Sequence, residues 1–404
     1  MRATHASLRT NQAITVARSF WRTNNADTHC GCAVAAQRIF RLAITMNILK
    51  QHGIVAVLWR HGRYSGGESM KKISVIGSGS WGTALTWLLC NNGHELTLWS
   101  YRAEETEMYR KNHQNTDKLP GVILPDSVEY TADLGEACAG RDLLVLAVPS
   151  PALRSTAHKM SGLVRPGQLI VSVSKGIEED SLMTMSEIIE QEIPQADVAV
   201  LSGPSHAEEV GRGLPTAIVA GAHSRETANR VQSVFMSPVF RVYTSSDMKG
   251  IQLGAALKNV MALAAGIADG LGYGDNTKAA LITRGSAELA RLGGAMGIHM
   301  RTLYGLSGIG DLIVTCASLH SRNRKAGYLM GQGYTMEAAM KEVHQVVEGV
   351  YSARAGKLLA EKYHVDMPIV NEVNEVLFHG KPARDAVNEL MQRDGKDEIE
   401  EWDE

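Results

Sequence analysis

An α/β domain built on a doubly wound parallel sheet, followed by an all-helical domain, is what the 404-residue sequence predicts. Three observations carry that expectation. Short, nearly all-apolar runs recur through residues 70–246 with helix-compatible stretches between many of them, the pattern of strands buried on both faces. From about Asp247 to Met391 the apolar spacing turns helical throughout. The first apolar run also passes directly into a G-x-G-x-x-G turn, the strand–turn–helix order of Rossmann-like sheets.

In chain order, residues 1–69 stand apart. They hold eight Arg and one Lys against Asp27 and Glu68, a net of +7 that leaves −9 for the remainder. This segment reads as an extension upstream of a working start at Met70, with a disordered tail or a targeting segment as alternatives. Little stable structure is expected in it. The first strand is Ile73–Ile76, the turn Gly77-Ser78-Gly79-Ser80-Trp81-Gly82, and the following helix Thr83 to Asn92. Such a turn aims the free N–H groups of a helix at a pyrophosphate, so Gly77, Gly79, Ser80, Trp81 and Gly82 are cofactor-site candidates. The second strand, Leu96–Trp99, leads into Ser100-Tyr101-Arg102 with no carboxylate at its end. An acid there would bind a ribose 2′-hydroxyl, whereas Arg102 is placed to meet a 2′-phosphate. NADPH is therefore the expected cofactor, with NADH also accepted; a solvated surface arginine is the alternative reading of Arg102.

Further strands are expected at Leu143–Val148, Leu169–Val173, Val198–Leu201 and Ala217–Ala220. Three of their ends carry polar or turn-forming groups: Pro149-Ser150, Ser174-Lys175-Gly176 and Ser202-Gly203-Pro204-Ser205-His206-Ala207. Ligands of open α/β sheets bind at this edge, which makes Lys175 a binding candidate as well as a first solvated residue. His206 is the best-placed histidine for acid/base work, against the plainer reading of a loop or helix-start histidine. The strongest helical segments are Gly254–Ile267 and Thr277–Arg291. Lys258 is a lone lysine in the first of them, and it either snorkels outward or sits desolvated with a lowered pKa, able to move a proton near neutrality. Its neighbour Asn259 is placed to hydrogen-bond a substrate hydroxyl. Gly308-Ile309-Gly310-Asp311-Leu312 sets a carboxylate in a glycine-hinged loop, and Ser321-Arg322-Asn323-Arg324 suits a phosphate.

The domains expected are residues 1–69 (extension), 70–246 (dinucleotide-binding), 247–393 (helical catalytic and substrate domain) and 394–404 (acidic tail). A net charge of −2 gives no global sign of a nucleic-acid or anionic-membrane partner. No stretch of residues 1–69 approaches the roughly 20 apolar residues of a membrane span, and no integral membrane segment is expected. Five scattered cysteines, Cys30-Gly31-Cys32 among them, make neither a disulfide framework nor a metal site. A cytoplasmic setting follows, and whether the chain forms a homo-oligomer stays open.

Taken together, these segments resemble the NAD(P)-dependent glycerol-3-phosphate dehydrogenases of bacterial type over about Met70 to Arg393. The resemblance rests on the glycine turn, Ser174-Lys175-Gly176, Ser202-Gly203-Pro204-Ser205, Leu257-Lys258-Asn259-Val260, Gly308-Ile309-Gly310-Asp311-Leu312, Ser321-Arg322-Asn323-Arg324 and Gln345-Val346-Val347-Glu348-Gly349, in that order. It implies reduction of dihydroxyacetone phosphate to sn-glycerol 3-phosphate, feeding glycerophospholipid synthesis, with Lys258 as catalytic lysine. By the same resemblance Lys175, Gly203, Ser205, Asp311, Ser321, Arg322 and Asn323 contact substrate. Ser80, Trp81, Lys175, Ala207, Arg322, Val346 and Glu348 match cofactor positions. Tyr101 and Arg102 stand where family members often carry two basic residues. The leader has no family counterpart. Two other readings are a related β-hydroxyacid dehydrogenase and a non-catalytic NAD(P)-sensing protein.

Overall fold

The computed structural model describes residues 70–395 and 398, and the expectations for residues 1–69, Cys30 and Cys32, and most of the acidic tail lie outside them. The strands are β1 (Lys72–Ile76), β2 (Glu95–Trp99), β3 (Glu129–Thr131), β4 (Leu143–Leu146), β5 (Leu169–Ser172), β6 (Asp197–Ser202), β7 (Thr216–Ala222) and β8 (Phe240–Ser245). Among them run α1 (Ser80–Asn91), α2 (Ala103–Asn112), α3 (Leu134–Cys138), α4 (Ser150–Met160), α5 (Met185–Glu192), α6 (Ala207–Val210) and α7 (Arg225–Phe235). The sheet order is β3-β2-β1-β4-β5-β6-β7-β8. The order reverses between β1 and β4, the position at which such sheets open a crevice for ligands.

Alternation along the strands serves two cores. Leu143 and Val145 of β4 face a cluster with Leu85 and Leu88 of α1, Tyr109 of α2 and Phe235 of α7. Leu144 and Leu146 face the other side, against Leu153 of α4 and Ile188 of α5. Helices thus cover both faces, and the strands read as continuous apolar runs because neither face meets water.

Two strands escape the sequence reading. β3 is three residues long, too short for a periodic signal. β8 alternates instead, with Phe240 and Val242 buried and Arg241 and Tyr243 exposed. Its period of two was legible. The sheet is also not wholly parallel, since β7 runs antiparallel to β6. Between them lies only one short helical turn, α6, too short to carry the chain back along the sheet face as a crossover helix does. β8 pairs parallel to β7, with α7 as its crossover.

After the sheet come α8 (Met248–Gly270), α9 (Asp275–Ala295), α10 (Met300–Leu303), α11 (Asp311–Ala317), α12 (Arg322–Gly331), α13 (Met336–Val343), α14 (Glu348–Tyr363), α15 (Pro368–Phe378) and α16 (Ala383–Met391). Asp247 caps α8 by accepting from the Gly250 N–H at 2.9 Å. α8 is long and apolar enough to cross a membrane, but 94% of its most apolar window is buried inside the fold, where it is the central helix of the helical half. Small residues let α12 approach it closely. A Cβ on Gly266 or Gly270 would overlap the carbonyls of Arg324 or Tyr328, and one on Gly327 or Gly331 those of Leu263 or Ile267.

Helix propensity alone favours Ala over Gly by about 0.5–1 kcal/mol. Gly266→Ala is nevertheless expected to destabilise the protein by about 1–3 kcal/mol, because the methyl group meets backbone that cannot rotate away. Urea unfolding reads this directly, and a midpoint unchanged or raised would contradict the packing described.

Candidate active site

The glycines of the first turn each meet a different constraint. Gly77 has φ +121°, and a Cβ there would lie 2.7 Å from the Ala147 carbonyl oxygen, so only glycine makes this turn. A Cβ on Gly82 would overlap the Gly77 carbonyl, which sets how closely α1 packs on the turn. A Cβ on Gly79 would meet no protein atom within 4 Å. That open backbone at the start of α1 is a cradle into which a pyrophosphate fits, beside N–H groups that lack intrahelical partners. Trp81 Nε1 is buried there with no hydrogen-bond partner among the described residues.

The ends of β5, β6 and α8 converge on one carboxylate. Lys175, just past β5, donates from Nζ to Asp311 Oδ2 at 2.7 Å and to the Gly203 carbonyl at 3.0 Å. Lys258, midway along α8, donates to Asp311 Oδ1 at 2.6 Å and to Thr315 Oγ1 at 2.8 Å. The Asp311 side chain is 1% exposed and that of Lys258 7%. Burial disfavours charge on Asp311, but the two ammonium groups outweigh it and hold the carboxyl below the ordinary range. For Lys258 the balance goes the other way. Burial, helped by Lys175, draws it down to about 7 against the pull of Asp311. One carboxylate cannot neutralise two ammonium groups, and the buried Lys258 gives up its proton near neutrality.

Asp311 reaches this point by a route the sequence conceals. Its glycine-rich approach reads as a hinged loop but forms a wide helical turn, with the Gly310 N–H donating to the Gly305 carbonyl at 3.1 Å, running straight into α11. Gly254 on α8 makes room, since a Cβ there would lie 2.7 Å from the Ser307 carbonyl oxygen. Wide turns of this kind recur at functional sites.

Two further networks lie around this core. Gln345 Oε1 accepts from Ser80 Oγ and from an Arg322 guanidinium nitrogen, each at 3.2 Å, and so ties the glycine turn to the start of α12. Ser321 caps α12, accepting from the Arg324 N–H at 3.2 Å. Glu348, first residue of α14, accepts from the Ser150 N–H at 3.1 Å and from the Ser150 hydroxyl. Burial raises the pKa of Glu348. Asn323 Nδ2 donates to Asn259 Oδ1 at 2.9 Å, and Asn323 Oδ1 accepts from the Gly349 N–H at 2.9 Å, so both amides bridge α8, α12 and α14.

Ser205 stays within its own loop, donating to the Gly203 carbonyl at 2.9 Å. Ala207 opens α6 and Val346 lies between Gln345 and Glu348. His206 occupies the start of α6; burial and then Lys258 lower its pKa, and its ring lies 5.9 Å from that of His320. Tyr101 and Arg102 stand apart at the exposed end of β2, the guanidinium 5.1 Å from the Tyr101 ring centroid. The sequence reading assigns no role to Thr315, Gln345 or Ser150. Thr315 was the findable one, four residues after Asp311 and hence on the same helix face.

Comparison with known proteins matches both halves. Residues 72–228 match the family model "NAD-dependent glycerol-3-phosphate dehydrogenase N-terminus" and residues 247–388 its C-terminus counterpart. Glycerol-3-phosphate dehydrogenase [NAD(P)+] of Agathobacter rectalis is 63% identical over 327 residues, 81% of this chain and 97% of that protein. The Fusobacterium nucleatum protein of the same name is 58% identical over 335 residues, 82% of this chain and all of that one. Glycerol-3-phosphate dehydrogenase from Coxiella burnetii superposes with a TM-score of 0.78 at 34% identity, covering 80% of this chain and 99% of that one. By these matches the chain belongs to the NAD-dependent glycerol-3-phosphate dehydrogenase family.

Proposed function

We propose that the chain reduces dihydroxyacetone phosphate to sn-glycerol 3-phosphate, and reverses the reaction with the same groups. The observation that carries this reading is the Asp311 carboxylate shared by Lys175 and Lys258. When bound at the glycine turn, NAD(P)H supplies the hydride that reaches C2. Lys258 gives its proton to the C2 oxygen as negative charge builds there and is left as a neutral amine; in the reverse direction it takes the proton back. A pKa of about 7 suits it to both tasks. Asp311 aims the ammonium, and Thr315 fixes it from the side.

Lys175 and Arg322 supply fixed cations for the substrate phosphate, with Gly203, Ser205, Ser321 and Asn323 completing the pocket. Gly77, Gly79, Ser80, Trp81, Gly82, Ala207, Val346 and Glu348 hold the cofactor together with Lys175 and Arg322. At the far end Tyr101 and Arg102 favour NADPH, with NADH also accepted. The site belongs to the cytoplasm, in keeping with the free thiols of Cys90, Cys138 and Cys316, and its product feeds glycerophospholipid synthesis. The β-hydroxyacid alternative is not favoured by a family match that spans both halves.

NAD(P)H oxidation measured with dihydroxyacetone phosphate and with 3-keto acids tests the reading; turnover only with the keto acids would overturn it. Lys258→Ala is expected to lower kcat by about 100-fold or more while cofactor binding persists. Near-normal kcat would sink the assignment of this lysine.

The pH dependence follows from the lowered pKa. Reduction uses the protonated lysine, so kcat/KM for dihydroxyacetone phosphate falls as pH rises through about 7. Oxidation uses the neutral lysine, so kcat/KM for glycerol 3-phosphate rises over the same window. Profiles flat from about pH 6 to pH 8 in both directions would contradict this proton transfer.

A further inference from the structure

The sequence places no acid at the end of β2, but the fold brings one there from the next helix. Glu105, in the first turn of α2, folds its carboxylate back onto the ends of two strands. Ser100, the residue that follows β2, donates from Oγ to Glu105 Oε2 at 3.0 Å. Ser78, between the first two glycines of the turn, donates to the same oxygen at 2.6 Å. Lys118 Nζ donates to Oε1 at 2.5 Å. The Lys118 carbonyl accepts in turn from Ser80 Oγ at 3.0 Å, so the ion pair is fastened to the glycine turn from both sides. The carboxylate side chain is 12% exposed. Burial opposes its charge, but Lys118, Ser78 and Ser100 outweigh burial and lower its pKa.

In sheets with this strand order, a carboxylate at the end of the second strand receives the adenosine ribose 2′-hydroxyl. Here the carboxylate has that address without that sequence position: Ser100 stands at the strand end and binds the acid offered five residues later. We propose that Glu105 is a specificity-determining residue, accepting the 2′-hydroxyl of NADH and repelling the 2′-phosphate of NADPH, with Lys118 screening its charge. The site then holds two opposed readers of one position, Glu105 for the hydroxyl and Arg102 for the phosphate. This rests on the nicotinamide-nucleotide reading of the glycine turn.

The test is direct binding of NADH and of NADPH to the full chain, followed by protein fluorescence without substrate. Glu105→Gln is expected to raise the NADPH-over-NADH affinity ratio about tenfold, since a hydrogen bond to a charged group is lost on one side and a repulsion on the other. Lys118→Met leaves the carboxylate unscreened and is expected to lower the same ratio several-fold. A merely structural ion pair is broken by either variant, so both would move the ratio in one direction or leave it unchanged. Either of those results overturns the proposal. Where Glu105→Gln does not fold, Lys118→Met decides alone, and a ratio that stays or rises overturns it. Wild-type protein that binds neither nucleotide would instead remove the cofactor reading itself.

Discussion

Asp311 carries one negative charge between two ammonium groups, inside a fold that excludes water from it. An unpaired charge at this depth would be severely destabilising, so each member of the trio needs the others in place. The sheet half supplies Lys175 at the end of β5, and the helical half supplies Lys258 and Asp311. The carboxylate therefore joins the strand edge to the central helix. Because it satisfies only one positive charge, the cluster keeps a surplus of one. Burial first, and then that surplus, lowers the affinity of Lys258 for its proton, and the surplus suits a site proposed to receive a phosphorylated substrate.

Close backbone approach makes this geometry attainable. Gly254 admits the wide turn that delivers Asp311, while Gly266, Gly270, Gly327 and Gly331 bring α12, and with it Arg322 and Asn323, against α8. Gly349 packs on the Asn259 carbonyl and donates to Asn323, which sets where α14 begins and where Glu348 points. What these contacts share is geometric: each glycine lies where a methyl group would collide with another segment's backbone or core side chains.

Much of this was legible in the sequence. The strand, glycine turn and helix following Met70 declare themselves, because fully buried strands are apolar throughout and the turn needs its glycines. Lys175 and Lys258 stand out as single cations at a strand end and in an apolar helix. What stayed hidden depends on distance in the chain. Nothing local says that Lys175 and Lys258 share Asp311, or that Gln345 links Ser80 to Arg322. Nothing local marks Glu105 either, and only the fold turns it onto Ser78 and Ser100. The antiparallel β7 was hidden for a related reason, since strand direction follows from how the chain returns after β6, through one short helical turn, and not from the composition of β7.

The most direct test of the shared carboxylate is the pH profile of kcat/KM for dihydroxyacetone phosphate in Asp311→Asn, set against wild type. Asparagine keeps the shape but removes the charge that favours the Lys258 ammonium. Two lysines then face each other without a counterion, and the midpoint of the fall should move about one pH unit or more below its wild-type position. A midpoint that stays in place would show that Asp311 does not govern the proton on Lys258.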